Sequence, residues 1–173
     1  MILATDVGYQ KGRATAAGVL IHAWGDCEPA QVLVAHLDEV AAYVPGQFYK
    51  RELPCLLALL EQLERPPAHI VVDGYVHLGR DRRPGLGKHL YDALGGQLVV
   101  IGVAKSRFRG TPASAAILRG GSRRPLYVTA VGIDAEQARR WIIDMCGDYR
   151  VPTILRLVDQ LSKAPESAGP LAA

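Results

Sequence analysis

The stretch His69-Ile70-Val71-Val72-Asp73-Gly74, followed by Leu98-Val99-Val100-Ile101-Gly102-Val103-Ala104-Lys105-Ser106-Arg107, decides how this chain folds. Each is a short apolar run without helical period, ending in a charged residue, and reads as a buried strand. Residues 85–94 between them carry a helical pattern that Gly95-Gly96 stops. Strand, crossover helix and strand make parallel neighbours. Asp73 and Lys105 should therefore leave the sheet side by side at its carboxyl edge, where α/β proteins collect ligands.

Upstream, Ile2-Leu3-Ala4-Thr5-Asp6-Val7-Gly8 opens the chain as a strand, Lys11-Gly12 turns it, residues 15–21 form a second strand and residues 31–35 a third. Short turns between them predict an antiparallel meander. Asp6 is expensive to bury unpaired in a first, central strand. It is either at a fraying end or a metal ligand. Leu53, Leu56, Leu57, Leu60 and Leu63 repeat at helical spacing, which predicts a helix to about Glu64 with Pro54 in its first turn. Glu52 then lies at or just before the helix start. On its own it reads best as a carboxylate favoured by the helix dipole.

Downstream, residues 110–124 are small, polar and basic and read as an exposed loop, and residues 125–131 as a strand. Asp134 caps a helix running to about Cys146. Pro152 starts a last helix, with Leu155, Val158 and Leu161 interleaved with Arg156 and Asp159. The expectation is one domain over residues 1–163 and a disordered tail from Ala164.

Of the 173 residues, 49% are hydrophobic, ample for a core, and the net charge of +3 is too mild to prove a nucleic-acid partner. The basic residues are uneven, however. Arg80, Arg82, Arg83 and Lys88 follow Asp73, while Lys105, Arg107 and Arg109 close the second strand. They belong to one predicted edge, so local charge exceeds the net value. Arg119, Arg123 and Arg124 read equally well as solvated loop arginines. The glycine-containing loop after Asp73 has neither the P-loop nor the dinucleotide fingerprint. Cys27, Cys55 and Cys146 lack zinc spacing and are expected as reduced thiols of a cytoplasmic protein. No leader and no membrane span is expected.

Four blocks together resemble endonuclease V, a family that cuts nucleic acid near deaminated adenine. They are Tyr43-Val44-Pro45-Gly46 with Arg51-Glu52, Val72-Asp73-Gly74, Ile101-Gly102-Val103-Ala104-Lys105-Ser106-Arg107, and Arg156-Leu157-Val158-Asp159. The resemblance covers residues 5–163. It implies an α/β, ribonuclease H-like fold: a mixed sheet of three antiparallel strands and then parallel ones, flanked by helices. It implies a DNA-repair endonuclease cutting 3' to inosine (hypoxanthine) in DNA or RNA with Mg2+, for which Mn2+ can substitute; a monomer is the expectation, with the oligomeric state left open. Asp6, Glu52, Asp73 and Asp159 would be the metal ligands, with Lys105 as the catalytic cation facing the phosphate. Tyr43, Pro45 and Gly46 would form a wedge at the lesion. Gly74, Tyr75, His77, Gly85, His89, Ser106, Arg107 and Phe108 would contact nucleic acid around the extruded base.

This chain departs from the family pattern in places. Residues 75–83 replace the family's glycine and His-Pro-Arg run, and only His89 keeps convincing histidine register. The region after Arg109 and the N-terminus are shorter, and Ala130-Val131-Gly132 stands where proline, glycine and histidine are usual. Two further readings follow: a ribonuclease H-like nuclease with another nucleic-acid substrate, and a non-catalytic nucleic-acid-binding relative.

Overall fold

The structure is a computed structural model that describes residues 1–10, 12–38 and 48–164. Lys11, the proposed wedge residues Tyr43, Pro45 and Gly46, and the tail from residue 165 lie outside the described residues.

The first three strands, β1 (Ile2–Gln10), β2 (Arg13–Ile21) and β3 (Gln31–Leu37), form the expected antiparallel meander. Helix α1 (Tyr49–Leu60) leads to β4 (His69–Asp73), and α2 (Leu86–Ala93) to β7 (Val99–Ala104). Between β4 and α2, the two-residue strands β5 (His77–Leu78) and β6 (Arg83–Pro84) pair as a small hairpin. β1, β4 and β7 are mutually parallel, as the crossover helices require. The short β8 (Ala116–Ile117) and β9 (Leu126–Val131) complete a sheet ordered β3-β2-β1-β4-β7-β9-β8. β9 runs antiparallel to β7 because no crossover helix separates them.

Side-chain alternation divides the core. Ile2, Ala4, Val71, Ile101 and Val103 face α3 (Ala135–Asp144) and α4 (Thr153–Lys163), while Leu3, Val7, Ile70, Val72 and Val100 face α1 and α2. Asp134 caps α3 as expected, accepting from the Glu136 and Gln137 N–H groups. Helix α1 starts at Tyr49 and stops at Leu60, so Pro54 falls in its second turn, on the exposed side. The lost backbone bond there faces water rather than the core.

Two expectations are corrected. Residues 110–124 are not simply an exposed loop: β8 lies within them, and Thr111, Ala115, Ile117 and Arg119 are buried. The Arg119 guanidinium donates to the carbonyls of Tyr149 (2.7 Å), Gly147 (2.9 Å), Ile143 (3.4 Å) and Met145, and so splices the α3–α4 connection. A basic residue in a polar stretch gives no sign that it will serve buried carbonyls. Nor are the cysteines all thiols. Cys27 and Cys146, 119 positions apart, form a disulfide, and only Cys55 is free. Trp24 in the β2–β3 loop stacks on Trp141 of α3, with ring centroids 4.9 Å apart, so the two segments joined by the bridge also meet through their tryptophans. No helix among the described residues is long and apolar enough to cross a membrane.

Candidate active site

Strand parity builds the site. Asp6 follows Ala4 by two residues on β1, and Asp73 follows Val71 by two on β4, so both carboxylates point to the α4 face. The β1–β4 pairing ends at Thr5 with Val72, leaving room for the two side chains beyond it. Asp159 meets them from α4. Carboxylate oxygens of Asp6, Asp73 and Asp159 all lie within 4.8 Å of one another. The ammonium of Lys105, just past β7, donates to Asp73 Oδ2 (2.7 Å) and Asp159 Oδ1 (2.8 Å). Lys163 adds a bond to the other Asp159 oxygen at 2.6 Å.

Glu52 comes from α1, across the sheet edge. It is 5% exposed and lines a narrow cleft with Asp6, Val7, Leu56, Asp73 and Leu86. It stands beside the aspartate trio, from the opposite face, rather than inside it. Burial, then the negative fields of Asp6 and Asp73, push its carboxyl up to about 9. Burial also raises Asp6, although the Ser162 hydroxyl partly offsets this. Burial alone would lower Lys105 and raise Asp159. Their mutual hydrogen bond, with Asp73 and Lys163 contributing, reverses both, so Lys105 is held protonated and Asp159 ionised. The donors are hard oxygens, and Glu52 and Asp6 gain stabilisation from an added positive charge. The residues present therefore fit a divalent cation such as Mg2+.

The supporting contacts include residues that the pattern of acids did not reveal. Ser162, 1% exposed, donates to Asp6 Oδ2 at 2.6 Å. Its position, three after Asp159, places both on one helix face, a signal readable in the sequence. Helix α4 can lie this close only because position 8 is glycine: a Cβ there would sit 2.0 Å from the Ser162 carbonyl oxygen. Arg150 donates to the backbone carbonyl of Lys105 and to that of Pro125 (2.8 Å), fixing the strand end that carries the lysine. Arg150 has no such sequence signal.

Of the residues expected around a base, Tyr75, Ser106 and Phe108 come together. The Tyr75 ring is buried, and its hydroxyl donates to the Ser106 carbonyl (2.8 Å) and accepts from the Phe108 N–H (3.0 Å). Tyr75 thus ties the loop after β4 to the loop after β7. The Gly74 N–H bonds the Val103 carbonyl at 3.1 Å, and Gly85 lies so close to Tyr75 that a Cβ would be 2.4 Å from its carbonyl oxygen. His77 sits in β5 with Arg82 at 3.3 Å, whereas His89 is on α2, stacked on Tyr49 at 3.6 Å between centroids. Burial lowers both imidazoles. Arg107 is exposed and bonds the Thr111 carbonyl at 3.0 Å.

A ribonuclease H-like sheet with three aspartates gathered over the exits of its central strands defines an α/β protein of nuclease type. The Endonuclease V family model matches residues 1–160, and the chain belongs to the endonuclease V family. Endonuclease V of Alkalilimnicola ehrlichii is 32% identical over 188 residues, a match spanning 96% of this chain and 82% of that protein. The crystal structure of endonuclease V from Streptomyces avermitilis superposes with a TM-score of 0.73 at 31% identity, covering 93% of this chain and 78% of that one. Ciona intestinalis endonuclease V, crystallised with a 23mer DNA containing an inosine followed by a ribo-adenosine, has the same fold. Its TM-score is 0.75 at 17% identity, with 93% and 83% of the two chains covered.

Proposed function

We propose that this chain is a metal-dependent endonuclease that cuts DNA or RNA on the 3' side of inosine. The observation that carries the reading is the convergence of Asp6, Asp73 and Asp159 on Lys105 in a member of the endonuclease V family. The inosine-containing DNA held by the Ciona protein supports the choice of substrate. Asp6, Asp73 and Asp159, with Glu52 beside them, would hold Mg2+, and Mn2+ can take its place. Bound there, the ion supplies charge stabilisation and an activated water for in-line displacement at phosphorus.

The chain's own residues supply orientation. Lys105 brings a fixed positive charge to the phosphate oxygens, Arg150 sets its backbone, and Ser162 aims the Asp6 carboxylate. Tyr43, Pro45 and Gly46 serve as the wedge. Backbone groups around Gly74, Gly85 and Phe108, next to Tyr75, His77, His89, Ser106 and Arg107, read the extruded base. Hypoxanthine presents a carbonyl oxygen and a ring N–H where adenine has an amino group and a bare nitrogen. A pocket built for the first leaves polar groups unpaired with the second. Residues 1–163 act as one nuclease domain, and its nucleic-acid substrate, rather than the state of its cysteines, is the ground for placing it in the cytoplasm.

The test is cleavage of oligonucleotides that differ only by one inosine, in magnesium. The inosine strand should be cut and its partner spared. Asp73→Asn should abolish cleavage and leave binding intact or tighter, since one negative charge near phosphate is lost. Parent-rate cleavage by that variant would refute the assigned chemistry. The rewritten segment 75–83 favours a second reading, a ribonuclease H-like nuclease with another substrate. Equal affinity of the Asp73→Asn protein for inosine-containing and unmodified strands, in competition at one salt concentration, would select it.

A further inference from the structure

The segment that departs most from the family pattern forms a basic ridge. The β5–β6 hairpin exposes Arg80, Arg82 and Arg83, and the turn after β7 exposes Arg107 and Arg109. The two turns touch backbone to backbone. A Cβ on Gly79 would lie 3.4 Å from the Arg109 carbonyl oxygen, and one on Gly110 would lie 3.3 Å from the Arg80 nitrogen. Both glycines have positive φ, +67° and +81°, a turn conformation that calls for glycine. Arg83 also reaches over the Phe108 ring, 6.0 Å from its centroid.

Five arginines thus emerge from one place. Asp81 is the single acid within residues 79–83 and 105–110. Among the described residues none of the five is ion-paired with a carboxylate. Arg82 contacts the His77 ring and Arg107 a backbone carbonyl, and neither contact cancels the charge. A dense cationic surface without carboxylate partners repels itself and costs stability unless a polyanion neutralises it. The ridge is also fixed relative to the acids. It hangs from the loops that carry Asp73 and Lys105, and Tyr75 bonds those loops together.

We infer that this arginine ridge is a second, sequence-independent contact for the phosphodiester backbone, and that the substrate is a strand extending several nucleotides beyond the scissile bond. The inference rests on the nuclease reading but not on inosine. Phosphates repel the aspartate trio and need cations to be held beside it. The ridge arginines supply these cations without bonding the aspartates, whereas Lys105 bonds both Asp73 and Asp159. Guanidinium groups suit the task because they bind phosphate oxygens bidentately.

The experiment uses the full chain and a triple variant, Arg80→Ser with Arg82→Ser and Arg83→Ser, whose exposed side chains can be lost without disturbing the core. Binding of an unmodified single-stranded 20-mer is measured in EDTA across a salt series. Three lost phosphate contacts should reduce the slope of log affinity against log salt by about 2. On an inosine-containing 20-mer in magnesium, the loss should fall on KM rather than on kcat. A slope and a KM both equal to the parent's would overturn the inference. If inosine reading is wrong but the ridge is right, the parent shows no preference for inosine while the slope still falls.

Discussion

Ser162 and Asp6, 156 positions apart, meet where α4 crosses β1, and the serine hydroxyl is the hydrogen-bond donor that aims one of the three clustered carboxylates. A partner outside the ligand set fixes the rotamer of an acid that burial would otherwise drive toward its neutral form. Ser162→Ala should therefore keep the fold and weaken divalent-ion binding by about 10–100-fold, the usual effect of removing an outer hydrogen-bond partner. Titration with Mn2+, followed by calorimetry or by electron paramagnetic resonance without substrate, measures this directly. Parent-like affinity would reduce Ser162 to a packing residue.

Glu52 makes metal-free stability depend on pH. Its carboxyl is raised from 4.5 to about 9, so the folded protein holds a proton there that the unfolded chain has released. Stability must then fall as pH rises through the window between those values. Denaturation in EDTA at several pH values should show the decline, and Glu52→Gln should flatten it. The same linkage makes metal binding release a proton, so affinity rises with pH across that window. Parallel stability profiles for parent and variant would contradict the assignment.

Arg119 predicts a stability effect with no catalytic origin. Its buried guanidinium serves four backbone carbonyls. Arg119→Met preserves bulk but leaves those carbonyls unpaired, which should cost about 3 kcal/mol. For a chain of this length, that is roughly 6–12 °C in Tm. Differential scanning calorimetry reads it, and a change under 2 °C would mean that water replaces the clamp.

The disulfide yields a fourth expectation. Closing a loop of 119 residues restricts the unfolded chain by roughly 4–5 kcal/mol in the entropic account. Cys27 is exposed, so mild reductant should reach the bond. Thermal melts with and without dithiothreitol should differ by roughly 10 °C, and Cys27→Ser should melt with the reduced form. Coincident melts would show that the bridge adds nothing to stability.

The parallel strands, the meander and the helix positions were legible because apolar periodicity and Gly/Pro punctuation are local signals. Asp73 and Lys105 were legible for the same reason, as the exits of two neighbouring parallel strands, whereas Asp6 stayed open between a fraying end and a metal ligand until the family resemblance was added. What stayed hidden depends on distant partners. The Arg119 clamp and the Arg150 bond to Lys105 unite segments far apart in the chain, and an arginine's spacing carries no hint of a carbonyl it will find. The cysteine pairing was missed for a related reason: the segments that carry Cys27 and Cys146 meet only in the fold, where Trp24 also stacks on Trp141. The hairpin after Asp73 was seen only as a departure from a pattern, because two-residue strands are too short for periodicity to register.

The Trp24–Trp141 stack, which His69 meets edge-on, has a practical consequence. These are the only two tryptophans in the chain. They sit at the start of β4, whereas Asp73 is at its end, about 13 Å away along the strand. Tryptophan emission is thus generated at the pole remote from the acids. It will follow unfolding, and reduction of the adjacent bridge, while staying blind to whatever binds between Asp73 and Lys105. Any spectroscopic assay of substrate engagement has to bring its own fluorophore, carried on the nucleic acid.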